Sequence, residues 1–340
     1  MMSDCASTAP VMTRRTMCVL GAALIALLTI ALAFPAHSVA TLHFVGWSLL
    51  EVSPLVVPGV LLSAWVRASG ASGRISEIFR GNMYRTILAA SAIGAVTPVC
   101  GVSVLPLMVG LLAGGVPLAP VMAFWLSSPV TDPAMLATTA ATLGVEFAAG
   151  KTLAAFCIGL VGGSLTAMMA HKPWAVAALR ENSIVGSLGQ VCQPDGFTPA
   201  IWKDAAKRTG FYREIRATTR LILICLIPAF AMEHLLGYML TPEALSTYVG
   251  SENWWSIPLA VLIGGPLYLD GFAALPLTRS LLDHGMSPGA AMGFLVSGGV
   301  VSIYGAMAIL PVLKLKPFLL YLFTALTGSL AAGWVFDAVM

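Results

Sequence analysis

The chain has 340 residues, 58% of them hydrophobic and only 10% charged, with a formal net charge of +3. Soluble domains carry roughly 25% charged residues, so this composition leaves too little polar surface to coat a water-borne globule. The small net charge gives no basis for nucleic-acid binding, and six cysteines without a CxxC pair offer neither a disulfide framework nor a metal site.

Residues 1–13 are polar, and Arg14 and Arg15 then precede an apolar run from Met17 to Pro35. That run reads as a retained first span or as a cleaved signal sequence, so residues 1–42 stand apart from the rest. A second span is predicted from His43 to Val66, interrupted by Glu51, Pro54 and Pro58. A loop with Arg67, Arg74, Arg80 and Arg85 follows. The apolar segment 86–113 is broken at Thr97-Pro98 and Pro106, and predicted spans from Pro120 to Leu143 and Phe147 to Ala170 complete a first membrane unit, 43–170. Residues 171–216 form the long polar segment and read as a cytoplasmic linker. A second unit, 217–340, repeats the order: a span at 217–240, a broken segment at 255–282, then spans at 288–310 and 317–336.

The two broken segments are copies of one another. Ala90–Ser127 aligns with Ala260–Ser297 at a constant offset of 170, without a gap, and 13 of the 38 positions are identical. Among them are Gly94/Gly264, Gly101/Gly271, Pro106/Pro276, Gly115/Gly285 and Ser127/Ser297. An internal repeat in so apolar a chain points to a transporter of two related halves. Lysine and arginine placement then sets orientation. If both broken segments crossed fully, the basic 171–216 segment would lie opposite the four-arginine loop. If each enters and returns on one side, Arg14/Arg15, the Arg67–Arg85 loop, the linker and Lys314/Lys316 share the cytoplasm. Glu146, Glu243, Glu252 and Asp337 then lie outside. The predicted fold is an all-α polytopic membrane protein with two inverted halves, each holding a re-entrant hairpin, plus an extra N-terminal span. Its predicted location is the inner membrane, crossed several times.

Irregular backbone at membrane depth is tolerated only beside protein or a water-filled cavity, so hairpin tips meeting near the midplane make a solute site. The first tip carries Thr97 and Cys100, the second Tyr268 and Asp270, and the offset pairs Cys100 with Asp270. The helix after each hairpin has its own break, at Ser127-Ser128-Pro129-Val130-Thr131-Asp132-Pro133 and from Ser297 through Gly298 and Gly299 to Ser302. The predicted solute-binding set is Thr97, Cys100, Ser127, Ser128, Thr131, Asp132, Tyr268, Asp270, Ser297 and Ser302. Acids within spans are functional by default, which makes Asp270, Asp132 and Glu51 the candidates for proton coupling. Structural roles compete with each: Asp270 as a loop brace, Asp132 as a helix cap, Cys100 as a packing residue, Glu51 reaching the interface. Arg279, Asp283 and His284 read as a solvated foot of the second hairpin. Gly110/Gly114 and Gly289/Gly293 have the spacing of close helix packing.

The runs Cys100-Gly-Val-Ser-Val-Leu-Pro106, Gly115-Val-Pro and Ala-Phe124-Trp-Leu-Ser127-Ser-Pro129 resemble the predicted-permease family that includes the ArsP organoarsenical exporters. Leu275-Pro276 through Gly285, and Ser287-Pro-Gly289 to Phe294-Leu-Val-Ser297, are similar to the family's other half. The resemblance covers about residues 45 to 340. At the first tip the family carries a Cys-Ser-Cys-Gly run; here Cys100 is kept, Gly101 replaces the serine and Val102 stands at the second cysteine. The resemblance implies a permease for a small solute, an organoarsenical or another toxic molecule, and soft trivalent arsenicals favour thiolate partners. The sequence holds no P-loop, so a secondary transporter that exports or exchanges its solute is expected, without a cofactor or a metal. Its partners would be the lipid bilayer and the small solute, with homo-oligomerisation left open. The competing readings are a channel-like pore between opposed hairpins and an intramembrane enzyme using Asp132 with Asp270.

Overall fold

The computed structural model describes residues 35–70, 81–96, 104–113, 115–130, 133–180, 198, 200–239, 255–265, 271–301, 309–310 and 312–340. Among the described residues the chain is helical, and its one extended pairing is a single bridge between Leu179 and Leu313. The helices are α1 (Pro35–Ala68), α2 (Met83–Gly94), α3 (Val104–Ala113), α4 (Leu118–Ser127), α5 (Pro133–Thr142) and α6 (Val145–Met168). They continue with α7 (Ala205–Met239), α8 (Ser256–Gly264), α9 (Gly271–Asp283), α10 (Pro288–Val300) and α11 (Leu315–Val339).

Two helices differ from the sequence expectation. Helix α1 is described from Pro35 and runs unbroken to Ala68, where the sequence reading began a span near His43 and interrupted it at Pro54 and Pro58; prolines are tolerated within membrane helices. Helix α7 begins at Ala205, inside the segment read as linker. Its first turns carry Lys207, Arg208, Arg213, Glu214 and Arg216, and a helix that runs on beyond an apolar span is invisible to hydropathy. Packed along each other, α1 and α7 share a core of Val45, Val56, Val60, Ile222, Leu226 and Phe230. Thr41 Oγ1 and His234 Nδ1 lie 3.0 Å apart at one end of this pair, and Ala64, Ala68 and Phe211 pack together at the other. The two helices therefore run antiparallel.

Inside the main bundle, contacts recur at positions 170 apart. Helix α2 packs on α4 and α6, and α8 packs on α10 and α11. A Cβ on Gly94 would collide with Ser127 Oγ and approach the Phe124 carbonyl oxygen to 2.7 Å; one on Gly264 would reach Ser297 Oγ and the Phe294 carbonyl oxygen, each at 2.6 Å. Gly163 faces Ile87, Ala123 and Ala119, and Gly333 faces Ile257, Gly293 and Gly289. The turns that end α3 and α9 also match. Gly115 has φ 84° and Gly285 φ 94°, a region open to glycine at no steric cost. The amides behind them, Val116 N and Met286 N, each bond back at 3.0 Å to the carbonyls of Leu111 and Leu281, closing both helices in the same way.

Helices α6 and α11 cross antiparallel. Gly150 lies against Phe336, Ile158 against Gly328 and Gly162 against Thr324, so numbering rises on one helix as it falls on the other. Ile158 and Gly328 are themselves 170 apart and sit near the middle of their helices.

With 24 and 25 residues, α6 and α11 are long and apolar enough to cross a bilayer, whose hydrocarbon needs about 20. Only 33% and 28% of their most apolar windows are buried, so neither is the covered core helix of a soluble protein. Leu153, Val161, Phe323 and Val335 stay exposed on them. An exposed apolar belt of this kind faces lipid.

Candidate functional site

The breaks after α4 and within the α10 end meet each other. Helix α4 ends at Ser127 and tightens into one 3-10 turn, Ser128–Val130. A Cβ on Gly299 would lie 3.4 Å from Val130 Cα and 3.5 Å from the Pro129 carbonyl oxygen, so the two broken backbones touch. Glycine is the residue that permits this approach.

Three of the predicted solute-binding residues are described here. Ser127 and Ser297 are fully buried and Ser128 nearly so. The Ser127 hydroxyl is shared between the carbonyls of Ala123 (2.9 Å) and Phe124 (3.1 Å). Ser128 donates to the Phe124 carbonyl at 2.9 Å, and Ser297 to the Phe294 carbonyl at 3.1 Å. A hydroxyl has one hydrogen, and in this arrangement each of the three directs it to the backbone of its own helix. Such back-bonding also loosens the helix it occupies, which suits a broken turn. Glu51 is exposed on α1, whose main contacts are α7 and α3. Thr97, Cys100, Thr131, Asp132, Tyr268, Asp270 and Ser302 lie outside the described residues. The foot of α9 is as expected, with Arg279 Nε 3.3 Å from Asp283 Oδ1 and both side chains over half exposed. Gly289 packs against the Asp337 side chain, whose Oδ1 accepts its amide at 3.0 Å.

Three further buried polar residues, on helices that contact these breaks, escaped the sequence reading. Lys151, on α6, is 0% exposed, on a helix that also packs against the Ser128–Val130 turn. Its signal was plain: one cation inside the predicted span Phe147–Ala170. Tyr321, on α11, stacks on Trp125 of α4 with ring centroids 4.3 Å apart, and its hydroxyl donates to the Val300 carbonyl at the end of α10. It thus ties one broken helix to the other. Ser91, on α2, is fully buried, and its hydroxyl has no hydrogen-bond partner among the described residues. It lies beside Ser127 where both meet Gly159. Among the described residues no three His, Cys, Asp or Glu side chains stand close enough to hold a metal ion.

Long apolar helices with lipid-facing surfaces, and a polar, broken interior shared between them, define an all-helical membrane protein. The chain belongs to the ArsP_1 family of predicted permeases, whose model matches residues 37–338. It is similar to the UPF0718 protein MJ0584 of Methanocaldococcus jannaschii, 22% identical over 333 residues, covering 82% of this chain and 91% of that one. It is also similar to the UPF0718 protein YcgR of Bacillus subtilis, 24% identical over 294 residues, covering 84% of this chain and 92% of the relative. No solved structure matches the chain.

Proposed function

We propose that this permease is a multi-pass inner-membrane secondary transporter that exports or exchanges a small solute, built from two inverted halves around a midplane site. The antiparallel crossing of α6 and α11 about Ile158 and Gly328 carries the reading, because helices at matching positions of two halves run antiparallel only if the halves are inverted. The recurring contacts at Gly94/Gly264 and Gly163/Gly333 support it. So does the pairing of α1 with α7, whose internal prolines include Pro58 and Pro228, also 170 apart. Inverted halves of similar energy can rock about a shared site, opening it first to one face and then to the other. In this reading the re-entrant tips, with Thr97, Cys100, Tyr268 and Asp270, border the site together with the breaks at Ser127 and Ser297. Asp270 carries the coupled proton, Asp132 helps hold the solute, and Cys100 supplies a soft ligand for a thiophilic substrate such as an organoarsenical.

Purified protein in proteoliposomes, given a panel of arsenicals and other toxic small molecules under an imposed pH gradient, tests this directly. Uptake should saturate and follow the gradient, and Asp270→Asn should lose gradient-driven uptake by about 100-fold, within the range that loss of a positioned proton-transfer group commonly costs. Solute-for-solute exchange should survive in that variant. Flux that never saturates would favour a channel, and wild-type behaviour of Asp270→Asn at every pH would remove the proton-carrier role.

A further inference from the structure

Glu51 and Arg220 carry opposite charges near the middle of α1 and α7, and both side chains are exposed. Among the described residues neither makes an ion pair or a hydrogen bond. Thr41 lies beside His234, and Ala64 shares a cluster with Phe211, so numbering rises along α1 as it falls along α7. That alignment brings Glu51 and Arg220 within about four residues of one level, or about 6 Å along the helix axes. The two helices also expose the same face. On α1 it carries Gly46, Leu50, Pro54 and Val57, and the residues 170 positions on, Arg216, Arg220, Ile224 and Ile227, are exposed on α7. Glu51 stands at the edge of the first stripe, beside Leu50. A Cβ on Gly46 would meet nothing within 4 Å, which leaves room for another helix to come close.

Within the predicted spans this face would meet lipid. Arginine is long enough to reach toward a headgroup, but a glutamate at mid-span lies about 15 Å from either surface and is not. Ionisable side chains at that depth almost always face protein or water and pair with one another. Lipid headgroups sit too far from Glu51 to cover it. What the face offers is an acid and a base side by side, which is self-complementary. Turned about a two-fold axis along the membrane normal, it meets its own copy with acid opposite base.

We propose that this face of α1 and α7 is the contact between two copies of the chain, with Glu51 of each copy paired to Arg220 of the partner subunit. The test is charge reversal in the full-length protein, with particle mass measured in nanodiscs of phosphatidylethanolamine and phosphatidylglycerol. Wild-type protein should be dimeric. Glu51→Arg sets base against base and Arg220→Glu acid against acid. Each variant alone should therefore dissociate about 30-fold more readily or worse, the loss that follows removal of one partner of a buried charge pair. Coexpressed under different tags, the two variants should copurify, because only the mixed dimer restores both pairs. Two differently tagged copies of the same variant should not copurify. A bridge within one chain would not give that pattern. Thermal unfolding in detergent reports whether each variant folds. Where reversal prevents folding, Glu51→Gln and Arg220→Gln, which remove the charge and change the shape little, should weaken the dimer in the same direction. Monomeric wild-type protein would overturn the inference, as would folded variants that dimerise like wild type or mixed variants that stay apart. A wild-type monomer whose bound phosphatidylglycerol is lost in Arg220→Gln would give the face to lipid instead.

Discussion

The α2–α4–α6 group and the α8–α10–α11 group share their shape and differ in their chemistry. At Gly94 and Gly264 the same serine and the same phenylalanine carbonyl press on a bare Cα. At Gly163 and Gly333 the neighbours also correspond, residue for residue. Yet Lys151 stands for Tyr321, Ser91 for Val261, and Gly159 for Ser329. Close packing dictates what backbones can tolerate, so positions of nearest approach stay alike. Polar side chains at the breaks are free to diverge, and divergence there lets one half bind what the other does not. A duplicated scaffold can therefore carry an undivided solute site.

The strongest way to break that comparison is at the glycines. Gly94→Val and Gly264→Val each force a side chain into a helix backbone, and each should destabilise by about 3 kcal/mol or more, at the upper end of what overpacking costs. Thermal unfolding in detergent should fall for both by a similar amount. Damage from one substitution alone would mean that the two contacts are not equivalent.

A smaller effect sharpens the difference between the halves. Tyr321→Phe keeps the ring stacked on Trp125 but leaves the Val300 carbonyl without its donor, at a cost of about 1–3 kcal/mol. Unfolding temperature should drop modestly while the protein stays monodisperse. No change at all would show that the link between α11 and the α10 break is not structural.

Much of this architecture was legible in the sequence, and the exceptions have physical causes. The helical class followed from the apolar runs, and the break after Ser127 from its Ser-Ser-Pro run. The interruptions expected at Pro54, Pro58 and Pro106 are absent, because helices α1 and α3 run through these prolines, which membrane helices tolerate. The relation of α6 to α11 was not legible. Across them only Ala155/Ala325, Leu160/Leu330 and Gly163/Gly333 are identical, since lipid-facing positions accept any apolar side chain. Ala155, Ala325, Gly163 and Gly333 are the ones buried against neighbouring helices. Lys151 was missed for a different reason. A single cation does not disturb the mean hydropathy of a span, although its cost in the membrane makes it one of the span's most informative residues.

Glu146 and Lys316 are 170 residues apart, each in the first turn of its helix, α6 and α11. The proposed inversion of the halves would put them on opposite faces of the membrane, with the acid outside and the lysine inside, in line with the positive-inside bias. The decisive measurement places one cysteine at a time, Glu146→Cys or Lys316→Cys, in a version whose own cysteines are replaced by serine or alanine. Intact cells are then treated with a membrane-impermeant maleimide. The account expects labelling of the Glu146→Cys protein from outside, and labelling of the Lys316→Cys protein only after the membrane is opened. Both positions labelling from the same side would contradict it.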